Sequence, residues 1–191
     1  MSRGEEESMK RERGALLALA CAALLLPAVV FAQLPPAADL VPPGFKLNGE
    51  RNLGGSVVVE ATRPNDSVPK PHADLGITLQ ITWMNNPAVD QILELLAAQP
   101  EDPAGQSPGS ATREEPCGKE DYRGRILTCR KVITPWIGAG KGPDLVMWRL
   151  AWTGKGQKGG MVGVGINNFC GSPATARAWI DAIIPKISTT R

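Results

Sequence analysis

Hydrophobic positions along this chain switch between periods of two and of three to four, and the order of the switches predicts an architecture. Residues Gly55–Thr62, GSVVVEAT, are rich in β-branched side chains and end at a loop marked by Pro64, Pro69 and Pro71, which predicts a first strand. ITLQITWM then alternates strictly, with Ile77, Leu79, Ile81 and Trp83 on one face and Thr78, Gln80 and Thr82 on the other. A period of two with one polar face marks a half-buried antiparallel strand. NNPAVDQILELLAAQ changes the period: Val89, Ile92, Leu93 and Leu96 recur at helical spacing behind Asn86 and Pro87 as start signals. Asp90 and Glu94 fall opposite the apolar stripe and read as solvated carboxylates.

A third strand is predicted over Tyr122–Ile133, where Arg123, Arg125, Arg130 and Lys131 require one face to reach water. LVMWRLAW places Val146, Trp148, Leu150 and Trp152 on one side, and GMVGVGIN sets Val162, Val164 and Ile166 against Gly163, Gly165 and Asn167. With TGKGQKG between them, these two runs predict a hairpin. Ser172 and Pro173 open a closing helix whose inner face is Ala176, Trp179, Ile180, Ile183 and Ile187, and Pro185 is expected to bend or end it. The order β-β-α-β-β-β-α defines an α+β fold: an about five-stranded, mainly antiparallel sheet with two helices packed on one face. Entered through LVPPGF, this order resembles the small PsbP-like domains in architecture alone, which implies no function.

Three segments lack such patterning. Residues 33–50 are Pro-rich and predict an extended linker that orders near Phe45, ahead of a single domain over 51–191. Residues 100–116 carry nothing to bury and predict a mobile loop. Residues 1–32 have the layout of a secretory signal peptide: Lys10, Arg11 and Arg13, then an uncharged apolar run from Gly14, then Val30 and Ala32 at the positions a signal peptidase reads. The expected cut follows Ala32, and Met9 offers a more ordinary start than Met1. Cys21 does not fit a lipid-anchor site, because Ala18 stands where an aliphatic residue is needed and the apolar run continues beyond it. A retained membrane helix is the competing reading, since the run approaches the ~20 residues that cross a bilayer; Pro27 and the cleavage site favour removal.

Removal of residues 1–32 takes away four basic residues (Arg3, Lys10, Arg11, Arg13) and four acidic ones (Glu5, Glu6, Glu7, Glu12), so the net charge stays at +2. That balance excludes the concentrated basic face of a nucleic-acid-binding domain. Cys117, Cys129 and Cys170 remain, enough for one internal bridge in an oxidising compartment. Spacing does not choose among the three pairings; Cys117 with Cys129 requires a chain reversal near Arg123–Gly124. No C-x-x-C pair and a single histidine exclude a zinc site of the usual ligands, and no metal or other cofactor is expected.

Motifs that resemble catalytic ones fail on detail. GAGKGP and GKGQKGG lack the Ser or Thr after Gly-Lys and lead into strands rather than helices, so they read as turns and not as phosphate loops. His72, two residues before Asp74, has no nucleophile motif to serve. More informative is ITPWIGAGKG, where Trp136 and Ile137 are large apolar groups in a glycine-rich loop. Trp136 either folds back to cap the core or contacts a partner. Gly163 and Gly165 leave the outer face of the last strand bare, permitting close approach by a ligand, unless the N-terminal linker lies there.

These features predict an exported, periplasmic, non-enzymatic domain with a binding or accessory role toward a protein or small molecule. Its contact surface is expected at Trp136, Ile137 and Lys141, with Arg149 and Asn167 beside them. One alternative is a small extracytoplasmic enzyme using His72 or a reactive cysteine. Another is a membrane-anchored subunit of an envelope complex, which requires the leader to be retained.

Overall fold

The alternating runs all pair into one antiparallel sheet. A computed structural model describes residues 34–188 apart from 73, 102–103, 107–110, 123–124, 137–139 and 158, and these belong to one compact unit. The predicted leader lies outside the described residues. The strands are β1 (Lys46–Asn52), β2 (Ser56–Arg63), β3 (Ile77–Met84), β4 (Gly105–Gln106), β5 (Arg113–Asp121), β6 (Ile126–Thr134), β7 (Leu145–Lys155) and β8 (Met161–Phe169). Their order in the sheet is β1-β2-β3-β8-β7-β6-β5-β4. Two meanders, β1 to β3 and β4 to β8, therefore meet along a β3–β8 seam in which Gln80 faces Gly165 and Thr78 faces Asn167.

The fold is α+β and its sheet antiparallel, but among the described residues it has seven strands of seven residues or more and a two-residue eighth, where about five were expected. The additional long strands carry no alternating signal. β1, KLNGERN, is an edge strand exposed along nearly its whole length, so burial imposes no period on it. β5, REEPCGKED, is polar and broken by a bulge between Pro116 and Gly118. It begins inside the segment 100–116 that the sequence assigns to a loop.

Among the described residues three α-helices accompany the sheet: α1 (Ala37–Leu40), α2 (Val89–Ala98) and α3 (Pro173–Ile187). Ser172 caps α3 through Thr175 N–H at 3.2 Å, with Pro173 at its start. Pro185 does not end the helix; Ser188 N–H still bonds the Ile184 carbonyl at 2.9 Å. Ala176, Ile180, Ile183, Ile184 and Ile187 of α3 are buried against Val57, Val59, Ile81, Leu150, Trp152, Val164 and Ile166. Ala37 and Leu40 of α1 join this inner core, and Lys186 Nζ bonds the Asp39 carbonyl at 2.6 Å. Residues 34–45 of the expected linker thus lie on the α3 side of the sheet, and residues 46–50 are not linker but most of the edge strand β1.

The expectation that both helices share one face is corrected by α2. Leu96 and Gln99 border a cavity with Ile126, Thr128, Ala151 and Thr153, which alternate with the inner-face residues Leu127 and Trp152. Lys155, in phase with Thr153, pairs with Asp90 at 2.7 Å. Lys119 donates to the carbonyls of Leu96, Ala97 and Gln99, a cation placed on the negative end of the helix. So α2 lies on the outer face over β6 and β7, and α3 on the inner face. Helical spacing identifies an apolar stripe without telling which side of the sheet receives it.

A disulfide joins Cys117 to Cys129 across β5 and β6, with a Cα–Cα distance of 5.0 Å. Tyr122 and Arg125 exchange backbone hydrogen bonds at the reversal between these strands, and the bulge leaves Cys117 outside the regular pairing. Cys170 is free. Among the described residues no helix is long and apolar enough to cross a membrane.

Candidate functional site

The outer face divides into cross-strand rows. One row runs Arg130, Arg149, Asn167, Thr78, Thr62 over β6, β7, β8, β3 and β2; the next runs Thr128, Ala151, Gly165, Gln80, Glu60. The side chains of the first row are linked. Arg149 Nε donates to Asn167 Oδ1 at 3.3 Å, and Asn167 Nδ2 donates to Thr78 Oγ1 at 3.1 Å. Glu114 of β5 stands by both arginines, with Oε2 at 3.3 Å from Arg130 Nε and Oε1 at 3.7 Å from Arg149 Nη1. Thr62 donates to Asn48 Oδ1 at 3.1 Å at the far margin.

These rows floor an open cavity of about 520 Å³ whose lining includes Asn48, Glu60, Thr62, Thr78, Gln80, Arg149, Gly165 and Asn167. It is of the size that takes a small molecule. Ala151 borders both this cavity and the one of about 220 Å³ beneath α2. None of residues 34–45 lines it. The N-terminal segment packs on the other side of the sheet and does not cover the bare glycines.

Gly163 and Gly165 differ from the other glycines of this hairpin. A Cβ on Gly154 would run into the Trp152 ring and Arg125, and one on Gly160 into Met84 and Trp83. At Gly163 the nearest atom to an added Cβ is 3.8 Å away, at Gly165 4.0 Å, and neither residue has a left-handed backbone. Nothing among the described residues demands a glycine at either position.

Of the residues expected to form a contact surface, Arg149 and Asn167 are brought together as direct cross-strand neighbours. Trp136 does not line this cavity. Its ring stands edge-on to His72 with centroids 5.0 Å apart and lies where a Cβ on Gly142 would be. Lys141 is exposed in the same loop; Ile137 lies outside the described residues. Thr78, Gln80, Arg130 and Glu114 join the site although they were not among the expected contact residues. Thr78 and Gln80 carried a signal, being on the polar face of an alternating strand.

His72 is buried, and its Nε2 has no hydrogen-bond partner among the described residues, as is true of Trp136 Nε1. Asp74 is exposed. A second cavity of about 460 Å³ lies between α2 and the β5–β6 reversal, lined by Asp90, Glu94, Lys119, Asp121 and Arg125 among others. Its cations are committed in part: Lys119 is bound to the α2 carbonyls. No protein-family model matches the chain, and no curated protein matches it.

Proposed function

We propose that this chain is an exported, non-catalytic binding domain that holds a polar ligand on the outer sheet face over Gly163 and Gly165. The observation that carries this reading is the vacancy of those two positions. A glycine inside a strand destabilises it by about 0.5–1 kcal/mol relative to alanine. Here neither φ nor packing calls for one, so what the glycines supply is access to the strand backbone. Hydrogen-bonding side chains surround Gly165 in the cavity, and residues 34–45 leave it open.

Export is supported by the leader pattern of residues 1–32 and by the Cys117–Cys129 bridge, which suits an oxidising compartment. Mass measurement of the protein recovered from the producing cells should give a chain beginning at Gln33; recovery of the unprocessed chain from the cytosol contradicts it. The enzymatic alternative gains less, because His72 is packed against Trp136 while Asp74 is exposed.

Amide chemical-shift mapping with a library of small polar molecules tests the binding site. Perturbations are expected to concentrate at Gly163, Gly165, Gln80 and Asn167. Clustering instead around Asp90–Gln99 would move binding to the second cavity and overturn the reading.

A further inference from the structure

We propose that the ligand of this face carries a carboxylate and that Arg149 receives it; this rests on the binding reading above and names the chemistry of its ligand. Register sets Arg130 and Arg149 directly opposite each other, an unfavourable like-charge pair. The carboxylate between them, Glu114, is nearer to Arg130, at 3.3 Å, and leaves Arg149 a longer contact of 3.7 Å. The Arg149 side chain is 46% exposed and lines the cavity floored by Gly165. Its orientation is fixed from behind: Nε is tied to Asn167, and Asn167 to Thr78. Nη2 has no partner among the described residues, and the guanidinium that Asn167 holds borders an open polar cavity. A planar fork of this kind matches the two oxygens of a carboxylate.

The rest of the lining narrows the class. Arg149 is the one cation among the described lining residues of this cavity, and the one acid there, Glu60, is bound to Arg51. A single fork surrounded by amides and hydroxyls suits a singly charged group better than a phosphate, which draws several cations or a nest of backbone N–H groups. No aromatic side chain is among the described lining residues, so these residues offer a sugar ring no stacking platform. The neutral remainder of the ligand lies over Gly165 beside Gln80.

The test uses the ¹⁵N-labelled protein and three probes: succinamate (one carboxylate, one amide), succinamide (neutral, same size) and inorganic phosphate. Succinamate should shift the amides of Ala151, Gly165 and Asn167 saturably and bind about ten-fold more tightly than succinamide, the difference of one charge-assisted hydrogen-bonded pair. Arg149→Gln should remove that preference, bringing succinamate binding down to the level of succinamide in the same variant. Arg149→Lys, which keeps the charge without the fork, should restore part of it. Equal binding of succinamate and succinamide at these amides, or an Arg149→Gln variant with undiminished preference, overturns the carboxylate while leaving binding on this face intact. Tighter binding of phosphate than of succinamate overturns it in favour of a different anion. Absence of shifts at these amides with succinamate overturns it outright, and the fragment mapping then shows separately whether the face binds anything.

Discussion

Replacing Trp152 by alanine is expected to lower the free energy of unfolding by about 4 kcal/mol, the largest effect of any single substitution considered for this fold. Trp152 is fully buried at the centre of the inner face. It stands in register between Leu127 of β6 and Val164 of β8, and its Nε1 donates to the Tyr122 carbonyl at 3.2 Å. Tyr122 in turn donates its hydroxyl to Asp181 of α3 at 2.5 Å. The indole therefore links the β5–β6 reversal, the middle of the sheet and the covering helix. Truncation leaves a cavity under α3 that five isoleucine and alanine side chains cannot close without moving the helix. Urea unfolding checks this, and a midpoint unchanged from the parent protein would show that α3 does not pack where described.

Reduction of the Cys117–Cys129 bridge is expected to cost about 3 kcal/mol, the chain-entropy value for a short loop; the two cysteines are 12 residues apart. The loss should be felt beyond the hairpin. Lys119, two residues from Cys117, holds the carbonyl end of α2, so loosening β5 frees that end as well. Hydrogen exchange after reduction should accelerate at Gln99, whose N–H closes the last turn on Leu95, while the amides of α3 stay protected. Uniform acceleration across both helices would mean that the bridge supports the whole unit and not one side of it.

How much of this was legible in the sequence depends on burial. β3 and β8 are buried on one face and half open on the other, so their side chains alternate; β7 changes its buried face between Met147 and Leu150, yet its apolar run still marks a strand, and both the hairpin and the bare Gly163 and Gly165 can be read from one line of text. α3 announces itself through Ser172, Pro173 and a run of isoleucines. β1 and β5 were missed because edge and near-edge strands face water on most sides, and nothing then forces a period. The side of the sheet taken by α2 was misjudged for a related reason: its landing site is Ile126, Thr128 and Thr153 rather than a large apolar patch.

The candidate site is half visible in the sequence. Arg149 and Asn167 were picked out as outer-face residues, and the structure pairs them. Their connection to Thr78, Arg130 and Glu114 depends on β8 lying between β3 and β7, a long-range pairing that no local pattern encodes. Trp136 drew attention as an apolar residue in a glycine-rich loop. Its edge-on contact with His72 comes from a turn more than sixty residues earlier in the chain.

The equilibrium stability of a Gly163→Val/Gly165→Val double variant tests most directly whether the floor of the groove is left open for something outside the chain. A Cβ has room at both positions and valine favours extended backbone, so the variant should be more stable than the parent by about 1 kcal/mol while losing any response to ligands on this face. A variant that unfolds more readily than the parent would show that the two glycines serve packing, and the proposed binding floor would lose its support.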